Sequence, residues 1–232
     1  MNAYLRFGTT TYALNEYLLF IDTETSGVPL RWDRPYSDQK NWPSVIQVAW
    51  IIYDRQANEI RRVCEYIYEK DISISKGSKK VHQIDIALLA ERGNRRKDVL
   101  RKLSHDINKY NPLIIGHFVE LDVQILSADF FRAQLDNPFI GKDFFCTMLN
   151  SEKYALNPQT KYLKLAQLYD YLFKVMPKTL HEALADAELT ANCFFELRSR
   201  NELMREDFQI QQQRFEKELN IIEKLKVKRG HK

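Results

Sequence analysis

Glycine is scarce in this sequence: 7 of 232 residues, alongside 7 prolines and 3 cysteines. So little glycine and proline excludes a collagen-like repeat and a largely disordered chain. Cys64, Cys146 and Cys193 lie far apart and form no C-x-x-C pair. That argues against a zinc knuckle or a disulfide scaffold, and free thiols in a reducing compartment are expected. Long apolar runs are missing near the N-terminus, where Tyr17–Ile21 stops at Asp22 after five residues. This is too short for a signal-peptide core or a membrane span, so the expectation is a soluble cytoplasmic protein with no membrane partner. Nor is charge of one sign in excess. The 35 Lys and Arg against 31 Asp and Glu leave +4, which permits a polyanionic partner without demanding one.

What is present is the making of a large core. Hydrophobic residues are 44% of the chain and charged residues 28%. A chain of this length makes one large domain, or one domain plus an appendage, and buries roughly 70–75% of its unfolded surface. Tyr17–Asp22 is a continuous apolar run ending in an acid and reads as a buried strand. Residues 27–44 hold three prolines, show no period and read as a long loop. Val45–Tyr53 and Ile60–Tyr68 form a strand hairpin. After a polar loop at 70–80, helices are expected at Gln83–Glu91 and Asp98–Tyr110, the second on the apolar face Val99, Leu100, Leu103 and Ile107. Then follow strand Leu113–Gly116, helix Val119–Leu135, strand Phe144–Met148, and helices Tyr162–Phe173, Ala183–Arg198 and Ser199–Val227. Strands first, then helices alternating with short strands, indicate an α/β fold with a mixed sheet flanked by helices.

The acids suggest chemistry. Asp22 and Glu24 are i and i+2 at a strand end, so both carboxylates project to one face. Two such carboxylates repel unless a cation sits between them, and hard divalent ions take oxygen ligands. Alone, a D-x-E on an exposed strand end is usually just solvated. Asp122 follows the buried LIIG strand in the first turns of a helix whose Ile125 and Leu126 face the core; a helix N-terminus favours an acid there in any case. His181 and Asp186 open an alanine-rich helix. Five residues on a regular helix leave the two about 140° apart, so they meet only if the chain before Ala183 is irregular.

In chain order, strand-end D-x-E, G-H-x-x-x-L-D after a strand, and H-x-x-x-x-D at a helix start together resemble the DEDDh family of 3′–5′ exonucleases. The likeness runs over roughly residues 17–198. The first motif falls on Asp22 and Glu24 in FIDTETSG, the second on Gly116, His117 and Asp122, the third on His181 and Asp186. Val81–Ile84 is similar to the family's H-G-I stretch, with Gln83 in place of Gly. Two departures stand out: Phe118 where many members have Asn, and Leu121 where they have Phe, with the spacing one residue wider.

The resemblance implies an RNase H-like mixed sheet and a two-metal phosphodiester hydrolase. Asp22, Glu24, Asp122 and Asp186 would hold two Mg2+ or Mn2+ ions, with Asp22 bridging them. Glu24 would also reach the terminal 3′-hydroxyl, and His181 would act as general base. Nucleoside 5′-monophosphates would leave from the 3′ end. Single-stranded DNA or 3′ overhangs are favoured as substrate. The alternatives are an exoribonuclease trimming RNA ends and a non-catalytic nucleic-acid-binding module, and the complete acid set argues against the latter. Candidate contacts to the strand are Thr25, Ser26, His82, His117 and Phe118. Trp32, Tyr36 and Trp42 could stack bases or cover the sheet edge, the latter favoured for Trp42, which adjoins the second strand. The run Arg92, Arg95, Arg96, Lys97, Arg101 and Lys102 could track phosphates or be a solvated helix face.

The expected division is an N-terminal extension at 1–16, the exonuclease domain at 17–198, and a charged helix with a basic tail at 199–232. In that helix Phe208, Phe215 and Ile222 recur every seven residues beside Leu219 and Leu225, but Gln211 and Glu218 interrupt the stripe. A sustained coiled coil needs three or four clean heptads. The helix is therefore expected to pack on its own domain, or on a protein partner or second copy. The end, KLKVKRGHK, reads as a solubilising tail.

Overall fold

A computed structural model describes residues 5–7, 10–12, 15–156, 159–178 and 181–226. Leu5–Phe7 (β1) and Thr10–Tyr12 (β2) pair antiparallel in the stretch read as an extension. The main sheet is laid around Tyr17–Thr25 (β3). Val45–Asp54 (β4) pairs antiparallel with it, and Glu59–Tyr66 (β5) pairs antiparallel with β4. On the other side of β3 lie Leu113–Gly116 (β6) and, beyond it, Phe144–Cys146 (β7), both parallel. The order is β5-β4-β3-β6-β7.

The continuous apolar run of β3 has a direct cause: both faces are covered. Leu18 and Phe20 belong to one core, Leu19 and Ile21 to the other. The first core is closed by Leu165–Phe173 (here α6) and Ala183–Ser199 (α7), the second by Arg96–Tyr110 (α3) and Val119–Arg132 (α4). Between β5 and α3 the chain forms Lys76–His82 (α1) and Ile86–Arg92 (α2) in place of the single helix expected at Gln83–Glu91. Gln83 is where they part, in the left-handed conformation at φ 59°. Each helix is started by a capping side chain: Ser75 accepts from the Ser78 N–H at 3.1 Å, and Asp85 from the Leu88 N–H at 3.0 Å. Thr147–Asn150 (α5) and a 3-10 turn at Ser151–Tyr154 follow β7.

The single helix expected at Ser199–Val227 is also two: Arg205–Leu219 (α8) and Ile221–Leu225 (α9), separated by Asn220 at φ 42°. Val227 and the basic tail after it lie outside the described residues. The seven-residue reading of the stripe is corrected as well. Phe208, Gln211, Phe215 and Leu219 are buried, while Ile222 is 58% exposed. Phe208 joins the α7 core; Phe215 and Leu219 join the other. The helix packs on the body of its own chain.

Gln211, read as an interruption, faces β7. Its Oε1 accepts from the Cys146 N–H at 2.7 Å and its Nε2 donates to the Cys146 carbonyl at 3.2 Å. Gln212 Oε1 accepts from the Phe144 N–H at 3.2 Å. Among the described residues no further strand pairs with β7, and these amides satisfy its outer backbone groups. Gln211→Ala leaves a buried N–H and C=O without partners and lowers stability by about 2 kcal/mol or more. Denaturant unfolding checks this, and a change within about 0.5 kcal/mol would show that water takes over the two bonds.

Asp129, fully buried on α4, is a second polar anchor. It accepts from the Val45 N–H at 2.9 Å and pairs with Arg132 at 2.6 Å and Arg96 at 3.2 Å. Arg132 in turn donates to the Pro43 carbonyl at 2.8 Å and to the Trp42 carbonyl. The far end of the 27–44 loop is thereby fastened to α4. Among the described residues, no helix is long and apolar enough to cross a membrane.

Candidate active site

Even-numbered residues of β3 point toward α7, so after Leu18 and Phe20 the same face carries Asp22 and Glu24. Thr23 points the other way and donates its hydroxyl to Asp122 Oδ1 at 2.7 Å. Asp122 is buried in the first turn of α4, just beyond the carboxyl end of β6. Gly116 allows that approach: a Cβ there would sit 3.0 Å from Val119 Cβ and 3.2 Å from the Ile21 carbonyl. The site thus lies outside the carboxyl ends of β3 and β6, where open α/β sheets bind ligands.

Asp186 enters from the first turn of α7. Ala183, Ala187 and Ala191 are buried, and these small side chains let that helix lie close to the sheet. Gln47 on β4 is opposite Glu24 in register, and its Oε1 accepts from the Ala183 N–H at 3.2 Å. His181 precedes α7 in the left-handed conformation at φ 62°, so the regular-helix offset does not apply. Its backbone N–H donates to Asp186 Oδ2 at 3.1 Å. One potential ligand atom from each of Glu24, His181 and Asp186 lies within 4.8 Å of the others.

The electrostatics show that these acids crowd one another. Burial, then Asp122, Asp186 and Glu24, push the Asp22 carboxyl well above the usual range. Burial, then Asp186 and Asp122, raise Glu24 to about 8. Burial raises Asp122 to about 7, against the Thr23 hydrogen bonds and with help from Asp186. Asp186 is raised chiefly by burial, while His181 opposes the shift. Among the described residues, Asp186 Oδ1 is buried without a hydrogen-bond partner. Four carboxylates, one with an orphan oxygen, fit hard divalent cations.

This crowding has a pH consequence. Raised carboxylate pKa values mean that the metal-free fold is favoured while the acids are protonated. That stability is fully present below the unfolded values near about 4 and is lost as pH rises through the folded ones. The Tm increment on adding Mg2+ or Mn2+ is therefore larger at about pH 8 than at about pH 5. Thermal melts with and without chelator measure it; an equal increment at both pH values would mean that ion binding does not draw on these acids.

The candidate substrate contacts divide. His117 is committed to the fold: Nδ1 lies 3.0 Å from Thr147 Oγ1 and Nε2 lies 3.1 Å from the Leu163 carbonyl. Burial lowers its pKa to about 4, against the Leu163 hydrogen bond. The Thr25 hydroxyl donates to the Gly27 carbonyl at 2.6 Å, and Ser26 Oγ accepts from the Ser44 N–H at 2.9 Å. Both residues hold the ends of the 27–44 loop. His82 is buried, its Nδ1 accepting from the Ile84 N–H at 2.9 Å. Its pKa is lowered, chiefly by burial and also by His181 nearby.

Phe118 remains half-exposed, one turn before Asp122, at φ 80°. Such a conformation costs a bulky residue about 1–2 kcal/mol and persists where the surroundings hold it. Here the Phe118 N–H donates to Cys146 Sγ at 3.3 Å.

Tyr36 is corrected as a candidate base-stacking aromatic, and Trp42 takes the structural role expected of it. Tyr36 and Trp42 are core residues, with the Tyr36 hydroxyl donating to Gln124 Oε1 at 2.7 Å and Trp42 Nε1 to the Pro35 carbonyl at 3.1 Å. The basic run is a solvated helix face rather than a continuous track, apart from Arg96. Arg96 is buried against Asp129, Lys102 pairs with Glu65, Arg101 with Asp98, and Arg92 with Glu91. Sequence reasoning missed Thr23 and Gln47, which position the acids. The one signal was a glutamine inside the otherwise apolar VIQVAWIIY.

No curated protein matches the sequence. Among solved structures, the fold is similar to Escherichia coli Exonuclease I in complex with a dT13 oligonucleotide, at TM-score 0.66 and 19% identity over 81% of this chain and 42% of that one. The same enzyme with dA16 gives TM-score 0.64 and 19% identity, covering 80% and 41%. A moderately thermophilic Exonuclease I from Methylocaldum szegediense gives 0.63 and 19%, covering 79% and 40%. The chain thus spans about two-fifths of the length of these structures. The profile of the exonuclease family typified by RNase T matches residues 19–194. With that match across most of its length, an RNase H-like sheet, and the D-x-E, D and H-x-x-x-x-D residues at one end of that sheet, the chain belongs to the RNase T-type, DEDDh exonuclease family.

Proposed function

We propose that this protein is a 3′–5′ exonuclease that removes nucleoside 5′-monophosphates from single-stranded DNA or 3′ overhangs, using two divalent ions. One observation carries the reading. Four crowded carboxylates and a histidine are gathered at the carboxyl end of β3, and the acids raise one another's pKa. Such crowding is costly unless cations are held there. Support for DNA comes from the dT13- and dA16-bound Exonuclease I structures of similar fold.

Asp22, Glu24, Asp122 and Asp186 would hold Mg2+ or Mn2+. When bound, such ions stabilise charge on the attacking and leaving oxygens of an in-line displacement. Glu24, on the α7 side of the sheet end, would accept from the terminal 3′-hydroxyl. His181 would take the proton from the attacking water as its oxygen bonds to phosphorus; the bond from phosphorus to the 3′-oxygen of the preceding nucleotide breaks, and that oxygen takes a proton from solvent to become the new 3′-hydroxyl. A histidine suits this step because imidazole changes charge near neutral pH. The His181 N–H bond to Asp186 Oδ2 fixes the backbone that carries the imidazole.

The test is a 5′-labelled oligonucleotide incubated with Mg2+ or Mn2+, and with EDTA. A ladder shortening from the 3′ end only with metal is the expected result. Absence of cleavage on any strand type in either metal would leave the binding-module alternative. Matched DNA and RNA oligonucleotides in competition then decide the sugar preference, with faster loss of DNA expected.

A further inference from the structure

We infer that Gln47 is a positioning residue of the reaction: its side-chain amide caps α7 from the sheet and so sets where Asp186 and His181 stand relative to Glu24. This rests on the exonuclease reading and deepens it. The first N–H groups of a helix have no partner within it, and α7 begins without a cap of its own. Glu182, the residue before it, makes no side-chain capping bond. The N–H of Ala183, a fully buried residue, is taken instead by Gln47 Oε1 at 3.2 Å, from a strand 136 residues earlier. Such a buried donor is costly to leave unpaired.

The amide is held in this orientation. Gln47 is 1% exposed, and its Nε2 donates to Cys64 Sγ at 3.5 Å on the neighbouring β5. Turned over, it would set its NH2 group against the Ala183 N–H. The Cys64 sulfur meets the helix as well. Burial and then Glu182 raise the pKa of that thiol, and hydrogen bonds from Gln47 and from the Leu184 N–H oppose them. The start of α7 is thus seated on two strands.

The third motif depends on this seat. Gln47 and Glu24 are opposite in the antiparallel register of β3 and β4, so their Cβ atoms lie about 5 Å apart on one face. Asp186 stands in the first turn of α7, and the His181 N–H is tied to its Oδ2 at 3.1 Å. Among the described residues Asp186 Oδ1 is buried without a partner. No bond of its own holds that oxygen, so its place is set by the helix that carries it. An amide also caps without charge. A carboxylate at position 47 would be a fifth acid beside four that already repel.

Two variants test this: Gln47→Leu, which fills the space without an acceptor, and Gln47→Glu, which keeps one. Hydrogen exchange at the start of α7 is read in EDTA, Mn2+ affinity by calorimetry, and KM and kcat on single-stranded DNA at saturating metal. In Gln47→Leu exchange speeds up there, and Mn2+ binds about tenfold more weakly. Its kcat falls about ten- to a hundredfold while KM for the strand holds. Gln47→Glu restores the protection and most of kcat. Should Gln47→Leu unfold, Gln47→Asn, an amide one methylene short of the Ala183 N–H, takes its place with the same expectations. Exchange or kcat unmoved in the variant without the cap overturns the proposal and leaves the exonuclease reading standing. A Gln47→Glu chain no better than Gln47→Leu overturns it too. If the parent hydrolyses no strand in either metal, the exonuclease reading falls and Mn2+ affinity decides the role of Gln47. Weaker binding in Gln47→Leu then keeps Gln47 as the seat of the ion site, and unmoved binding removes it.

Discussion

Asp22→Asn lowers the rate of 3′-end hydrolysis by about a thousandfold or more, and in the same protein raises the Tm of the metal-free form at about pH 8. Both effects follow from one property of the site. The Asp22 carboxyl is buried at the end of β3 with Glu24, Asp122 and Asp186 around it, and each of them makes its ionisation harder. Asparagine has the same shape and no charge. It removes one of the carboxylates that would hold the divalent ions, and with it charge stabilisation that those ions would supply. It also removes one of four mutually repelling acids, whose cost to the metal-free fold grows as pH rises above about 4. Initial rates on a labelled single strand and melts in EDTA measure the two effects separately. A rate within tenfold of the parent would take Asp22 out of the chemistry. A lower Tm would mean that its carboxylate is bonded into the fold rather than crowded.

Asp129→Ala is expected to cost about 3–5 kcal/mol of stability, the range for removing one partner of a buried charge network. Three donors converge on this carboxylate: the Val45 N–H, Arg132 and Arg96. Both arginine side chains are less than a tenth exposed, so the truncation leaves two buried cations and a buried amide without their acceptor. The loss extends toward the site, since Arg132 also holds the Trp42 and Pro43 carbonyls at the end of the loop that carries Trp32. Denaturant midpoints at constant m-value report the cost, and weaker oligonucleotide binding accompanies it. A loss under about 1 kcal/mol would mean that solvent reaches the arginines once the carboxylate is gone.

Parts of this molecule were legible because their cause is local. The alternation of a strand is local, so YLLFID followed by T-E could be read as a buried strand with two acids on one face. The helical period of Val99, Leu100, Leu103 and Ile107 is local as well, and α3 runs Arg96–Tyr110. Other features depend on what lies across the fold. Nothing near Gln47 or Gln211 in sequence says that one amide meets the start of α7 and the other a strand 65 residues away. His117 matches a family motif, yet its two ring nitrogens are taken up by Thr147 and Leu163. The basic run around α3 looked continuous because sequence does not show Asp129 or Glu65 arriving from elsewhere. The helix α1 was hidden for a different reason. KGSKKVH has no apolar stripe, and its start rests on the Ser75 hydroxyl.

The glutamines on α8 bear on how the sheet ends. A sheet has two rims, and an unguarded rim invites another chain to add a strand. At β5 the guard is charge, with Glu59, Arg61, Arg62 and Glu65 along the strand. At β7 it is the pair of side-chain amides from α8, which occupy the backbone groups that an incoming strand would need. Cutting the chain at residue 198, where the motif-bearing region ends, would strip that guard while leaving Asp22, Glu24, Asp122 and Asp186 in place. The shortened protein would carry an adhesive rim and two cores opened by the loss of Phe208, Phe215 and Leu219, and its loss from solution would come from these exposed surfaces rather than from any fault in the site.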